Sequence, residues 1–289
     1  MTYAKMILGD IALVTGCLLS PALAMSQTIT PFSADSAAIQ SEVNLRTQPN
    51  AVQLQAFEYV IPQLIVGGEW TSTIRFVNRG TKNFPQTNVF LVDDSGNPLL
   101  STFQTSNGNT LTATAFSITL NAGGMAEATF AGTSETKFGH AFVGCSATGC
   151  NTSGLYGEVT LRNRNATRPD FESVFPFERP YSLQYMLFDG RNGNTTVLYL
   201  VNGNTSSSQV LIDVVDVSNR ILRTVSLGFA PLSTQILTLH VLSQETIGIQ
   251  GTLVIRGSNL SQTAFITATG LKINPSNSFT PIRAFVPAP

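Results

Sequence analysis

Charge is scarce in this chain. Asp, Glu, Lys and Arg make up 11% of its 289 residues, less than half of the roughly one quarter usual in soluble domains. Net charge is -1 and no Lys/Arg cluster occurs, which argues against nucleic acid or an anionic membrane surface as partner. Histidine occurs twice (His140 and His240), tryptophan once (Trp70) and cysteine three times. Two histidines leave little for an imidazole-based zinc centre or charge relay. After the first 24 residues no apolar run reaches the ~20 residues of a membrane-spanning helix, so no transmembrane segment is expected in the mature chain. Neutral Ser, Thr, Asn, Gln and Gly carry the polar surface instead. The hydrophobic fraction of 43% is ample for a packed core and excludes wholesale disorder.

The opening residues read as a secretory signal. Lys5 supplies a positive start, the following stretch to Leu19 is mostly apolar, and Ala22-Leu23-Ala24 gives an A-x-A cleavage site before Met25. Val14-Thr15-Gly16-Cys17 also resembles a lipobox, but the apolar residues after Cys17 lead into the better site. A secreted or cell-surface location is therefore expected. Removal of the signal leaves Cys145 and Cys150 in the sequence CSATGC. That spacing predicts a hairpin-tip disulfide in an oxidising compartment; zinc would need two further ligands.

Residues 25–56, rich in Ser, Thr, Gln, Ala and Asn, read as a flexible leader whose last residues, Val52 and Leu54, pair with the first sheet. From Phe57 onward, short apolar runs of period two alternate with Gly, Asn, Ser and Pro. Strands are predicted at 58–66, 70–78, 87–93, 99–104, 112–120, 124–130, 140–145 and 155–163. A second series covers 181–188, 195–202, 209–217, 221–227, 234–240, 249–256 and 263–272. Ile74 and Phe76 face one way, Thr73 and Arg75 the other, as in a half-buried antiparallel strand. The run VLYLV at 197–201 is apolar on both faces, which predicts a central strand or one whose outer face meets another domain. Only 239–247 holds room for a helical turn.

The second half repeats the first. WTSTIRFVN at 70–78 returns as NTTVLYLVN at 194–202, GEVTLR at 157–162 as GTLVIR at 251–256, and the Asp93-Asp94-Ser95 turn as Asp216-Val217-Ser218. Regular strands and two copies predict an all-β protein of two tandem antiparallel sandwiches, Ig-like or jelly-roll-like, from an internal duplication. The expected domains are 57–177 and 178–289, joined near Pro176 and Pro180. The motifs VIPQLIVGGEWTSTIRFVN, VFLVDDSGNPL, GTLVIRG and ATGLKINPSNSFTPIRAFVP resemble a tandem β-sandwich module of uncharacterised secreted bacterial proteins. That resemblance implies export and tandem sandwiches. It carries no established activity and no catalytic residue.

No G-x-S-x-G occurs, and Ser134-Glu135-Thr136-Lys137 lacks the companion motifs of the S-x-x-K acylases. Glu58, Glu69, Glu158, Asp170, Glu172 and Glu178 are available for a glycosidase pair, but solvated strand faces account for them. Glu158 has Thr252 as its counterpart in the second GTLVIR copy, and Arg162 and Arg256 end what read as equivalent strands. Asp93, Asp94, Ser95 and Asn97 offer oxygens to calcium, although an ordinary turn uses the same residues. His140 and His240 read as structural. Trp70 stands at a strand start where an exposed ring could stack on a sugar. The expectation is a non-enzymatic extracellular interaction module without cofactor. Its partner is an extracellular protein or glycan, met on end loops or at the junction. A sugar-binding module on Trp70 is the alternative, and a hydrolase with unlocated carboxylates the next.

Overall fold

The structure, a computed structural model, describes residues 27–32, 58–132, 135–145, 154–164, 170–257, 265–276 and 278–286. It is predominantly strand, in four antiparallel sheets. The first half contains β1 (Thr28–Phe32), β2 (Tyr59–Val66), β3 (Trp70–Asn78), β4 (Phe84–Asp93), β5 (Ser101–Thr105) and β6 (Thr110–Ala113). It continues through β7 (Ala115–Leu120), β8 (Met125–Phe130), β9 (Lys137–Cys145), β10 (Leu155–Asn163) and β11 (Phe171–Pro176). The second half contains β12 (Leu183–Asp189), β13 (Thr195–Asn202), β14 (Ser208–Asp216), β15 (Ile221–Phe229) and β16 (Thr234–Thr238). A four-residue helix, α1 (Leu239–Leu242), a 3-10 turn (Gln244–Thr246), and strands β17 (Gln250–Gly257), β18 (Ile266–Ile273) and β19 (Phe279–Arg283) complete it.

One sandwich pairs the sheet β1-β7-β4-β9-β2 with the sheet β11-β10-β3-β8-β5-β6. The other pairs β12-β17-β14-β15 with β16-β13-β18-β19. Without β1, β5 and β6, the first half has the same strand order as the second. In that alignment β2 matches β12, β3 matches β13, β4 matches β14, and β7 to β11 match β15 to β19. Within each unit the second strand pairs with the fifth and the third with the sixth, as B–E and C–F do in immunoglobulin domains. The first, fourth and seventh strands lie in the opposite sheet relative to that fold.

Two side-chain devices recur at matched places. Asn78 ends β3, donates from Nδ2 to the Lys82 and Asn121 carbonyls (2.8 and 2.9 Å) and accepts from the Gly80 N–H (2.8 Å). Asn202 ends β13, donates to the Ser206 and Ala230 carbonyls (3.1 and 2.8 Å) and accepts from the Asn204 N–H (3.1 Å). Each thereby ties down the loop four residues ahead, pairing backbone carbonyls that have left the ladder. Asp93 and Asp216, ending β4 and β14, each accept on Oδ1 from the N–H groups two and four residues later. That is the Asx geometry of a tight turn.

The strand order corrects one equivalence read from sequence. GEVTLR lies on β10 and GTLVIR on β17, but the counterpart of β10 is β18, and that of β17 is β9. Arg162 and Arg256 therefore stand on non-equivalent strands, and Thr252 is not the counterpart of Glu158. The leader reading is also revised. Thr28–Phe32 pairs along β7 as an edge strand, whereas Val52 and Leu54 fall outside the described residues, as do Lys5, Cys17, Ala24 and the rest of the segment read as a signal.

The first core is packed with phenylalanine: Phe76 meets Phe177 and Phe116 edge-on at 5.2 and 6.2 Å, and Phe103 meets Phe130 at 5.0 Å. The outer face of the β1-to-β2 sheet is covered as well. Val60, Phe90, Val92, Ala115 and Phe142 cluster with Val201 and Leu232 of the second half. Tyr199 and Leu271 are buried in the first half's own core, with Val197, Ile273 and Phe279 packed against it. VLYLV is thus two-faced because Leu198 and Leu200 fill the second core while Val197, Tyr199 and Val201 meet the neighbouring sandwich. Glu178 and Val60 exchange both backbone hydrogen bonds at 2.7 and 2.9 Å, fastening the junction.

Candidate functional site

Several of the acids are held in ion pairs. Arg75 bridges Glu127 on β8 and Glu158 on β10 at 2.6 and 2.7 Å across three adjacent strands. Arg162 pairs with Asp170, Arg256 with Asp213, and Arg283 with Glu178. Burial pushes the Glu178 carboxyl up, and Arg283 opposes that rise. Among the described residues, no three His, Cys, Asp or Glu side chains gather into a metal-ligating group. Asp93 uses Oδ1 for the turn amides, and the turn itself is pressed against the second half. The Thr234 N–H donates to the Asp94 carbonyl at 3.0 Å. A Cβ on Gly96 would overlap the Pro231 carbonyl. Burial, then the neighbouring Asp93, raises the Asp94 pKa.

Trp70 opens β3 half-buried and meets Phe171 edge-on at 5.8 Å. Phe171 in turn meets Phe279 of the second half at 4.5 Å. Its ring thus belongs to an aromatic ladder bracing the two sandwiches. Cys145 closes β9 opposite Thr87, and Cys150 lies outside the described residues. His140 is fully buried in the inter-domain layer, its Nδ1 2.8 Å from the Thr234 hydroxyl and its ring edge-on to Phe142. Burial lowers its pKa to about 4, against smaller opposing effects of the Leu232 carbonyl and Asp93. It is a neutral packing residue.

His240 has different surroundings. The β12–β13 connection (190–194) turns through Asn192, whose φ is 54°, and lies against the loop after α1. The Gly190 N–H donates to the Ile249 carbonyl (2.7 Å), and the Gly248 N–H donates to the Gly190 carbonyl (2.9 Å). A side chain at Gly190 would strike the Thr246 carbonyl, so only glycine lets the two loops meet. Between them a cavity of about 300 Å³ enters the end of the sandwich. Phe188 and Leu239 form its buried floor. Asn192, Asn194, Thr195, Thr196 and His240 supply polar walls, with exposed Ile247 at the rim. His240 Nδ1 lies 3.2 Å from the Thr195 hydroxyl. Thr196, only 3% exposed, has an Oγ1 without a hydrogen-bond partner. A second hollow of about 400 Å³ shares Phe188 and is bordered by Asp189, Lys272 and exposed Leu187 and Val217.

An unpaired buried hydroxyl is costly, and Thr196, which carries this one, is among the residues that line the cavity. Sequence reading missed this place because its residues come from separate loops. The visible signals were an Asn-Gly-Asn turn and His240 just beyond a strand. No known protein family, curated protein or solved structure matches this chain.

Proposed function

We propose that this is an exported, non-enzymatic interaction protein, in which two sandwiches form one stiff body and the loop end of the second presents the recognition surface. The observation that carries this reading is the inter-domain layer. The second half's β16-β13-β18-β19 sheet lays Val197, Tyr199, Val201 and Leu271 onto the first half. A body fixed this way holds the 190–194 and 239–248 loops at a constant orientation, and loops on a rigid scaffold are where binding residues concentrate. The acids engaged with Arg75, Arg256 and Arg283 support structural rather than acid–base use. The signal-like residues 1–24 and the pair Cys145 and Cys150 left in the sequence after them support export. The common strand order and the matched Asn78/Asn202 and Asp93/Asp216 devices support an origin by duplication.

The test is co-sedimentation of the processed chain with cell-envelope fractions and insoluble polysaccharides, with the supernatant assayed for soluble products. Saturable retention without product is expected. Turnover of any envelope polymer would overturn the reading.

A further inference from the structure

The cavity at the end of the second sandwich has the chemistry of a site for a neutral sugar. Its described lining includes no Asp, Glu, Lys or Arg side chain. Two acids adjoining the lining segments in the chain are already engaged: Asp189 with Arg191 at 2.9 Å, and Glu245 with the Ser243 hydroxyl at 2.7 Å. A phosphate or carboxylate would find no lining cation, and an ammonium no anion. The polar side-chain groups present are three hydroxyls, of which that of Thr246 donates to the Ser243 carbonyl, two carboxamides and an imidazole. Each of these types can pair with a group that both donates and accepts, as a sugar hydroxyl does. Thr196 contributes a hydroxyl that the protein leaves unpaired. His240 uses Nδ1 toward Thr195 and has a second ring nitrogen to offer. Opposite these groups, Phe188 and Leu239 give an apolar floor suited to the C–H face of a ring. About 300 Å³ is at the small end of ligand cavities and holds a single ring rather than a chain.

We propose that this pocket binds one neutral pyranose, the terminal or branching residue of a glycan. Its hydroxyls rest on Thr196, Asn192, Asn194 and His240, and its apolar face rests on Phe188 and Leu239. The site rests on the reading of this loop end as the recognition surface. It also moves sugar recognition away from Trp70, whose ring serves the inter-domain ladder.

The test is calorimetric or NMR titration of the intact processed protein with the methyl glycosides of glucose, galactose, mannose and N-acetylglucosamine. At least one should bind saturably and shift the resonances of His240 and Ile247. Thr196→Val should weaken that binding about tenfold, the loss of one hydroxyl contact, while Thr196→Ser retains it. Asn192→Gly keeps the positive-φ turn and deletes only the carboxamide; it should weaken binding by a similar factor. Trp70→Ala should leave the affinity unchanged. No saturable binding of any of the four glycosides would overturn the proposal. Binding indifferent to both Thr196→Val and Asn192→Gly would do the same. Envelope retention without sugar binding would sink this site and spare the interaction reading, whereas product release would sink that reading instead.

Discussion

The two sandwiches share eight strands in one order, yet they finish the same end differently. In the first, β2 and β3 are joined by the short 67–69 turn, with the Trp70 N–H bonded to the Gly67 carbonyl. Ser72, on β3, donates to the Ile65 carbonyl (2.6 Å) and accepts from the Ile65 N–H (2.9 Å). The irregularity in β2 between Ile61 and Leu64 accompanies that use of a side chain in place of a ladder partner. The matching residue of the second sandwich is Thr196. There β12 pairs regularly with β17, the turn runs through 190–194, and the hydroxyl has no partner. One end is stitched shut and the other is open. Two sandwiches can thus keep one strand order while a bulge and a turn length decide which half holds a cavity.

The largest expected effect lies in what the halves share. Asn78 and Asn202 each make four side-chain hydrogen bonds from buried positions. At about 1 kcal/mol per bond, and more for the groups left unpaired, Asn78→Ala and Asn202→Ala should each cost about 3 kcal/mol or more in chemical denaturation. A large cost for one and none for the other would break the equivalence.

A comparable effect comes from the layer between the halves. His140 stays neutral down to about pH 4 in the fold, but its unfolded pKa is near 6.5. Between those values the unfolded chain binds the extra proton, so stability falls as pH drops from about 6.5 to 4 and levels off below. The total is roughly 3 kcal/mol at about 1.4 kcal/mol per unit. Asp94 and Glu178, with raised pKa values, act in the opposite sense as they protonate. Denaturation curves at pH 7 and 4.5 should therefore show a drop that His140→Gln largely removes. An equal drop in that variant would contradict the assignment. Trp70→Ala, which deletes the first ring of the ladder to Phe171 and Phe279, should cost about 2 kcal/mol, below the range for fully buried rings.

The amino-acid pattern made much of this scaffold legible. Period-two alternation placed β3, β10 and β13 at their observed limits, and the two-faced VLYLV run pointed to a covered outer face. It missed β1, β11 and β19. All three are edge strands containing proline, which an edge tolerates because one side of its backbone needs no partner. GEVTLR and GTLVIR looked like copies because both read as amphipathic β-strands, and such local likeness is indifferent to position in the sheet. The pocket was not legible. Ser72 and Thr196 are both small hydroxyl residues in similar contexts, and only the path of the preceding strand determines which one is satisfied.

Substituting this matched pair tests the account most directly. Thermal and chemical denaturation of Ser72→Ala and Thr196→Val, without added ligand, should separate the two ends. Ser72→Ala leaves the Ile65 N–H and carbonyl without their side-chain partner and should cost about 1–2 kcal/mol. Thr196→Val removes a hydroxyl that bonds to nothing in the protein, and should be neutral or stabilising. A loss for Thr196→Val equal to that for Ser72→Ala would show that the hydroxyl is already paired in the free protein, and the second end would then be as closed as the first.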